Sequence, residues 1–292
     1  MITNENDIKS FWQDNPCGEN LVSRDEDWAD YFEKYDAFRY RTEGHILSEL
    51  DKIDLAEKKV LEIGIGQAAD SLQLALRGAQ WSGLDLTDAA VFRAKKRFEL
   101  AGKNFDEIKL GSALDIPYPG SSFDLVYSHG VLHHIPDIKK ASSEISRVLR
   151  PGGRLVIMMY HKNSLNYWLS IAVIRRVLMV VLWFIGNLGF GRFISSPVLK
   201  QHLQNTKKVG IFRYLEMPNF LYVNTDGPSN PYSKVYNRNE IEIDLKEFEL
   251  SKTRVHFLNR RHFPGIGLLP NRFLSWLDEH LGWHLWAFLI KK

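Results

Sequence analysis

A glycine turn flanked by acids is the feature of this sequence best suited to chemistry. The apolar run Val60–Ile63 is broken only by Glu62, and it is followed by Gly64-Ile65-Gly66 and a stretch with helical composition. A strand, a glycine turn and a helix in this order bring backbone N–H groups and a helix N-terminus close to a ligand, which only small residues permit. A second acid, Asp85, follows about twenty residues later, at the spacing that reaches a pair of ribose hydroxyls. We therefore expect a nucleoside cofactor at the carboxyl ends of two parallel strands.

Two classes of nucleoside cofactor fit such a turn. Gly64, Gly66 and Ala69 match the dinucleotide pattern Gly-x-Gly-x-x-Gly/Ala only loosely. Glu62 favours the other class, because an acid two residues before the first glycine repels phosphates and attracts an amino-acid ammonium. An NAD(P)-dependent oxidoreductase stays open as the alternative function.

Five segments, in order, resemble the motifs of the class I S-adenosylmethionine (SAM) methyltransferases. They are Glu62-x-Gly64-x-Gly66 (motif I), Leu84–Thr87 (ribose-binding strand end), Gly111–Tyr118 (adenine loop), Ser122–Ser128 (strand four) and Leu149–Leu155 (turn into strand five). The resemblance covers roughly residues 59 to 161 and is to the small-molecule type, similar to the ubiquinone/menaquinone-type methyltransferase domain. It implies SAM as the cofactor and methyl transfer to a small acceptor.

The resemblance also implies roles for single residues. Glu62 is expected to hold the methionine ammonium, Asp85 the ribose hydroxyls, and Leu86 the adenine ring. In this family a helix before strand one often covers the methionine end, which makes Tyr31 and Arg39 candidates for its carboxylate. The predicted cofactor-binding residues are Tyr31, Arg39, Glu62, Gly64, Gly66, Gln67, Asp85, Leu86, Ser112, Ala113, Leu114 and Ser128.

Two positions depart from the family pattern. Ala68 stands where a third glycine is common, and an alanine fits there if its φ is negative. Ser112 stands where the adenine loop usually carries an acid, and a serine oxygen accepts a hydrogen bond from the adenine amino group more weakly. The adenine contact is therefore the least secure part of the predicted site.

Three histidines follow strand four, where the sulfonium and the acceptor are expected to meet. Adjacent side chains at His133 and His134 point apart on a turn, and the sequence places no third ligand, so no metal site is predicted. A packed, hydrogen-bonded turn is one interpretation. In the other, His129 or His133 is the general base, because an imidazole titrates near neutral pH.

Alternating strands and helices are expected to position these residues. Strands are predicted at 59–64, 80–85, 108–111, 123–128, 153–160, 249–258 and 283–290, with helices at 26–50, 68–77, 88–101, 137–149, 238–246 and 271–281. The pattern predicts an α/β fold with a doubly wound, mostly parallel, seven-stranded Rossmann-like sheet and an antiparallel last strand. The predicted ranges are 1–50 (N-terminal helical cap), 51–161 (SAM-binding core), 162–234 (apolar helical insertion) and 235–292 (last strands and helix).

The insertion contains a stretch whose second half is apolar on every side, unlike an ordinary surface helix. As a bilayer span it is short, because Arg175 and Arg176 interrupt it on one side and Asn187 on the other. Three interpretations stay open. The stretch is a buried helix or homodimer interface, a lid over a hydrophobic acceptor, or an interfacial helix within 165–194 that contacts a membrane peripherally.

Composition narrows the class of protein. The 292 residues carry a net charge of +3, which gives no argument for nucleic acid. The single Cys17 excludes an internal disulfide and a thiolate zinc site, and the polar N-terminus lacks a secretory pattern. We expect a cytoplasmic enzyme of small-molecule biosynthesis with an apolar or amphipathic acceptor. A SAM-fold module that has lost catalysis is the second alternative.

Overall fold

One seven-stranded sheet organises the structure, a computed structural model that describes residues 4–18, 27–258, 263 and 265–292. Its strands are Lys59–Ile63 (β1), Gln80–Asp85 (β2), Glu107–Leu110 (β3), Phe123–His129 (β4), Leu149–Tyr160 (β5), Phe248–His256 (β6) and His284–Lys291 (β7). The strand order is β3-β2-β1-β4-β5-β7-β6. The first five strands pair in parallel. The sheet is mixed and its last strand lies between β5 and β6, so the predicted Rossmann-like fold is confirmed.

Thirteen helical segments accompany the sheet in the described ranges, besides three short 3₁₀ turns. They are Glu5–Asp14 (α1), Trp28–Thr42 (α2), His45–Leu50 (α3), Ala69–Leu76 (α4), Asp88–Leu100 (α5), Ile138–Val148 (α6), a π-helix at Asn166–Arg175, Arg176–Asn187 (α7), Pro197–Val209 (α8), Ile211–Tyr214 (α9), Met217–Tyr222 (α10), Arg238–Asp244 (α11) and Asn271–Leu281 (α12). The helix predicted at 26–50 is two helices, α2 and α3, because the chain leaves helical geometry at Glu43.

Buried apolar residues explain why the central strands read as nearly continuous hydrophobic runs. β1 and β2 are exposed only at their first residues and are otherwise buried, as expected for parallel strands covered on both faces. Trp81 of β2 stacks on Phe98 of α5, with ring centroids 4.7 Å apart. This packing holds the amino-terminal half of β2 against α5, and the glycine turn and Asp85 lie at the opposite, carboxyl ends of β1 and β2.

The chain divides into two compact units. The helical unit comprises Met1–Phe11, Tyr160–Asn237 and Val255–Leu285, and the sheet unit comprises Trp12–Met159, Arg238–Arg254 and Trp286–Lys292. The range 235–292, predicted as one segment, is therefore shared between both units. The strand order of the sheet reverses between β1 and β4, and ligands of such sheets bind outside the carboxyl ends of the strands at this point.

Candidate cofactor site

The two glycines of the turn after β1 serve different purposes. Gly64 has a φ of +81°, and a Cβ placed on it would lie 2.1 Å from Cγ2 of Val131. Gly66 has a φ of +56°, but an added Cβ would meet nothing within 4 Å. Packing thus requires the glycine at position 64, whereas position 66 leaves its backbone open for the close approach of a ligand.

Ala68 corrects one expectation from the sequence. Its φ is +57° rather than negative, so this buried alanine adopts the left-handed conformation at the N-cap of α4. That conformation costs an L-residue roughly 1–2 kcal/mol relative to the right-handed one. The turn therefore follows the backbone path that a third glycine would follow, and the backbone of Ala68 is strained as a result.

Asp85 ties the end of β2 to the glycine turn. Its Oδ2 accepts hydrogen bonds from the backbone N–H of Ile65 at 2.7 Å and of Gly66 at 3.2 Å. Its Oδ1 accepts from the backbone N–H and the hydroxyl of Thr87, at 2.9 and 2.8 Å. Four donors fill the four lone-pair positions of the carboxylate. A ribose hydroxyl would therefore replace one of these donors, and the Gly66 N–H makes the longest of the four bonds.

Glu62 is buried within the sheet unit, with 3% of its surface exposed. Its Oε2 accepts a hydrogen bond from the indole N–H of Trp81 at 2.9 Å. Burial raises the pKa of Glu62 to about 8, because desolvation penalises the charged carboxylate. The predicted contact with the methionine ammonium stays a prediction, and a cation placed beside Glu62 would lower this pKa again.

A buried ion pair, which the sequence did not reveal, lies beside the glycine turn. The guanidinium of Arg39 donates to both carboxylate oxygens of Asp70, at 3.1 and 2.8 Å. The hydroxyls of Tyr40 and Tyr127 donate to the same carboxylate, at 3.2 and 3.1 Å. Burial alone would raise the pKa of Asp70, but Arg39, His129 and the Tyr127 hydroxyl together outweigh it and bring the pKa to about 2.

Arg39 was predicted to bind the methionine carboxylate, and the structure pairs its side chain with Asp70. Asp70 belongs to the first turn of α4, directly after the glycine turn, and its position there was the only signal in the sequence. The pair brings one positive and one negative charge beside the glycine turn. The carboxylate role of Arg39 stays a prediction.

Tyr31 and Gln67, two further predicted residues, are both buried. Tyr31 packs among the aromatic rings of α2, 5.7 Å from the Trp28 ring centroid and 6.4 Å from that of Tyr35. The Nε2 of Gln67 donates to the carbonyl of Cys17 at 3.4 Å. Its Oε1 is buried without a hydrogen-bond partner among the residues that the structure describes. A buried acceptor beside Gly66 is suited to a ligand that brings a donor.

The adenine loop is built as an internal turn. Ser112 Oγ accepts a hydrogen bond from the Leu114 N–H at 2.9 Å, so the oxygen predicted to face adenine already holds the loop. Ser112, Ala113 and Leu114 are all half-buried, as is Leu86. Their predicted contacts with adenine stay predictions, with backbone and apolar surface left accessible for them.

Ser128 near the end of β4 and His133 in the turn after it are both withdrawn from solvent. Ser128 is fully buried, and its hydroxyl donates to the carbonyl of Ile63 at 2.9 Å, which ties β4 to β1. His133 is also fully buried and packs against His134, with ring centroids 4.3 Å apart. Burial holds the pKa of His133 well below its ordinary value. An imidazole in this state is a poor general base, and the catalytic role of His133 stays a prediction.

His129 is half-buried at the end of β4 and packs against Trp286, with ring centroids 5.2 Å apart. Its Nδ1 lies 3.4 Å from the Nη2 of Arg39. Burial lowers the pKa of His129 to about 3, although Asp70 opposes the shift. The ring is neutral at physiological pH and too weakly basic for efficient proton abstraction. Its catalytic role stays a prediction.

The site fits SAM on three observations of its own residues. The space over Gly66 is open, Gln67 offers an unsatisfied buried acceptor, and the acids Glu62, Asp70 and Asp85 lie on the segments around the turn. A cluster of acids suits a sulfonium and an ammonium, and it disfavours the pyrophosphate of a dinucleotide.

Comparison with known proteins supports this assignment. A family described as "Methyltransferase domain" matches residues 61–157, about a third of the chain. The phthiotriol/phenolphthiotriol dimycocerosates methyltransferase of Mycobacterium tuberculosis H37Ra is 38% identical over 104 residues, which are 35% of this chain and 37% of that protein. The chain thus matches well under two thirds of that relative's length.

A second relative and a solved structure extend the similarity along the chain. The ubiquinone biosynthesis O-methyltransferase of Saccharophagus degradans is 26% identical over 195 residues, covering 67% of this chain and 77% of that protein. An S-adenosylmethionine-dependent methyltransferase from Mesorhizobium loti shares the fold at a TM-score of 0.52 and 14% identity, over 86% of this chain and 98% of that one. Residues 61–157 therefore form a methyltransferase domain, with the fold of the SAM-dependent methyltransferases around it.

Proposed function

We propose that this protein transfers the methyl group of SAM to a small acceptor with a large apolar part. One observation carries the proposal. Asp85 of β2 is hydrogen-bonded to the open glycine turn after β1, at the point where the strand order reverses and within the matched methyltransferase domain. This arrangement joins a ribose-binding acid to a backbone that a nucleoside is able to approach.

Different residues of the sheet unit would bind different parts of SAM. Gly66 would admit the cofactor to the backbone, Asp85 would exchange one of its hydrogen bonds for a ribose hydroxyl, and Leu86 would pack on adenine. Asp70 would supply negative charge toward the cationic end, and Glu62 would do so once the bound cation lowers its raised pKa. When bound, SAM supplies a methyl group that its sulfonium has already activated. The protein therefore has mainly to align the acceptor and exclude water.

The weak basicity of the two histidines narrows the acceptor. Burial holds the pKa of both His129 and His133 well below neutrality, so neither imidazole is matched to proton abstraction from an alcohol. We favour an acceptor whose nucleophile loses its proton without a strong base, such as a carboxylic acid or an acidic phenol. Such a group is ionised, or nearly so, when it reaches the site.

The names of the relatives support an apolar acceptor. One relative is named for phthiotriol and phenolphthiotriol dimycocerosates and the other for ubiquinone biosynthesis, which are lipid-like or quinone compounds. An acceptor of this class would place the protein in small-molecule biosynthesis. The apolar surface within 165–194 would serve either peripheral membrane contact or a homodimer interface, which are alternative predictions from the sequence.

The proposal is tested by following labelled methyl groups. Purified protein is incubated with methyl-labelled SAM and, in separate reactions, a long-chain fatty acid, a prenylated phenol and a polar catechol. We expect label in the apolar product, and we expect Asp85→Ala to abolish it. Saturable SAM binding without turnover on any acceptor would support the inactive module, and hydride transfer from NAD(P)H would support the oxidoreductase.

A further inference from the structure

The helix that runs through Asn166–Asn187 presents an apolar face to the outside of its own unit. Its π-helical and α-helical halves are continuous, and its length and composition would let it cross a membrane. Only 17% of its most apolar window is buried. A core helix of a soluble protein would be mostly buried, so packing within the helical unit does not account for this composition.

One side of this helix packs against the rest of the helical unit. Ile171, Met179 and Leu182 belong to a buried cluster with Phe220 and Trp283. The opposite side and the turn that follows it carry large apolar residues that are between 48% and 72% exposed. We call this set the apolar face: Val173, Val177, Val181, Phe184, Leu188 and Phe193. A contiguous surface of this kind marks an interaction site in most proteins.

The charge of the surrounding chain identifies the class of partner. From residue 160 to residue 215 the sequence contains eight lysines and arginines and no aspartate or glutamate. Arg192, Lys200, Lys207, Lys208 and Arg213 are all exposed. Phe212, which is 89% exposed, lies among the last of them. Exposed apolar side chains among exposed lysines and arginines complement an anionic lipid surface.

The same charges argue against a second copy as the partner. Two apolar faces packed together would bring two sets of positive charges close to each other, which is unfavourable.

The surrounding charges also argue for a helix that lies on the membrane rather than crossing it. Arg175 and Arg176 sit at the middle of the helix, and Arg175 donates to the carbonyl of Asn224 within the helical unit. Because one side of the helix is buried and two arginines lie at its middle, only its outer side is available to contact lipid.

We propose that the apolar face docks onto a bilayer that contains anionic phospholipid, with the basic residues of α8 and α9 at the headgroups. The apolar side chains enter the boundary between headgroups and acyl chains, and the lysines and arginines supply the attraction that selects negatively charged membranes. This surface binds lipid whether or not the sheet unit carries out methyl transfer.

Flotation with lipid vesicles tests the proposal on the 292-residue chain. The vesicles consist of phosphatidylcholine alone or of phosphatidylcholine with about a third phosphatidylglycerol, a content that gives a surface potential comparable to that of anionic membranes. We expect strong binding to the anionic vesicles and weak binding to the neutral ones. The double variant Val177→Glu/Val181→Glu should bind at least about a hundredfold more weakly, because each buried apolar carbon contributes about fourfold.

A matched control shows whether vesicle binding depends on the apolar face or on any exposed apolar residue. Ile243 on α11 is 65% exposed and belongs to the sheet unit, so Ile243→Glu should leave vesicle binding unchanged. Circular dichroism and thermal unfolding establish that each variant is folded. The basic residues are tested by Lys207→Gln/Lys208→Gln, for which we expect about 30-fold weaker binding to the anionic vesicles, since each charge contributes about fivefold.

Three results would overturn the proposal, in whole or in part. Wild-type protein that does not float with anionic vesicles lacks the lipid-binding surface. Sedimentation equilibrium that shows a dimer without lipid, dissociated by Val177→Glu/Val181→Glu, would assign the apolar face to a second copy. Equal binding to neutral and anionic vesicles would refute the role of the basic residues.

Discussion

At the scale of single residues, Glu62 makes stability depend on pH in a direction that is unusual for a carboxylate. Its pKa is raised by burial from 4.5 to about 8 in the folded protein. Between these two values the unfolded chain loses the proton that the folded protein keeps, so the free energy of unfolding falls as pH rises. The contribution of the protonated side chain is complete below pH 4.5 and lost toward pH 8.

Glu62→Gln should remove this dependence. A neutral amide of similar shape keeps an acceptor for the indole N–H of Trp81 and has no proton to lose. We expect the thermal midpoint of the wild type to fall from pH 5 to pH 9 more steeply than that of the variant, as measured by circular dichroism in closely spaced buffers. Glu33→Gln, at an exposed position, should leave the slope unchanged, and parallel curves for wild type and Glu62→Gln would contradict the account.

Asp85 is the residue on which SAM binding depends most directly. Asp85→Ala removes the acceptor for the Ile65 and Gly66 N–H groups as well as the predicted ribose contact. Because bonds to a charged acceptor are worth more than neutral ones, we expect SAM affinity to fall at least about a hundredfold in calorimetric titration. Asp88→Ala, three residues on and exposed, is the control, and unchanged affinity in Asp85→Ala would refute the assignment.

Residue spacing predicted some of these positions and missed others for a physical reason. Gly64, Gly66 and Asp85 follow from local patterns within two consecutive strand ends, where chain order determines proximity. The partnership of Arg39 and Asp70 spans 31 positions and depends on how one helix packs on another. The left-handed backbone of Ala68 also escaped prediction, because its side chain alone does not favour that conformation.

At the scale of elements, the Arg39–Asp70 pair ties α2 to the first turn of α4. Both side chains are largely buried, at 15% and 5% exposure. Arg39→Ala would leave the Asp70 carboxylate buried with hydroxyl partners only, and breaking a buried pair in this way typically costs about 3–5 kcal/mol. We expect a loss of that size in the free energy of unfolding, as measured by urea denaturation.

A double variant isolates the charge from the packing. Arg39→Ala/Asp70→Asn removes the uncompensated charge, so it should be more stable than Arg39→Ala alone. If Asp70→Asn instead lowers the stability of Arg39→Ala by as much as it lowers that of the wild type, the two residues do not act as a pair. The contact between α2 and α4 then has another origin.

The sheet and its helices were largely predictable because each element carries its own pattern. The strand predicted at 80–85 is β2 with the same bounds, and the helix predicted at 271–281 is α12. Helix α1 lies within the helical cap predicted at 1–50, but its bounds were not predicted, since its polar composition hides an inward side formed by Ile8 and Phe11. The bounds of α8 to α10, within the helical insertion predicted at 162–234, were not predicted for a similar reason, because each of these helices buries few residues and its pattern is weak.

At the scale of the whole molecule, the sheet unit has recognisable cofactor motifs and the helical unit does not. The sheet unit contains the matched domain and all the predicted cofactor residues. The helical unit holds the apolar face and most of the chain that the family match does not reach. Motifs identify a cofactor site because many proteins share it, whereas an acceptor or a membrane surface depends on packing and charge particular to this chain.

Calorimetric titration with SAM, S-adenosylhomocysteine and NAD tests the central claim most directly when two glycine variants accompany the wild type. Gly66→Ala places a methyl group in the open space over the turn. Gly102→Ala introduces the same kind of strain, because Gly102 has a φ of +59° and equally open surroundings on a loop after α5. We expect the wild type and Gly102→Ala to bind both sulfur nucleosides and not NAD, and Gly66→Ala to bind neither. Binding of NAD alone, or unchanged SAM binding in Gly66→Ala, would contradict the account.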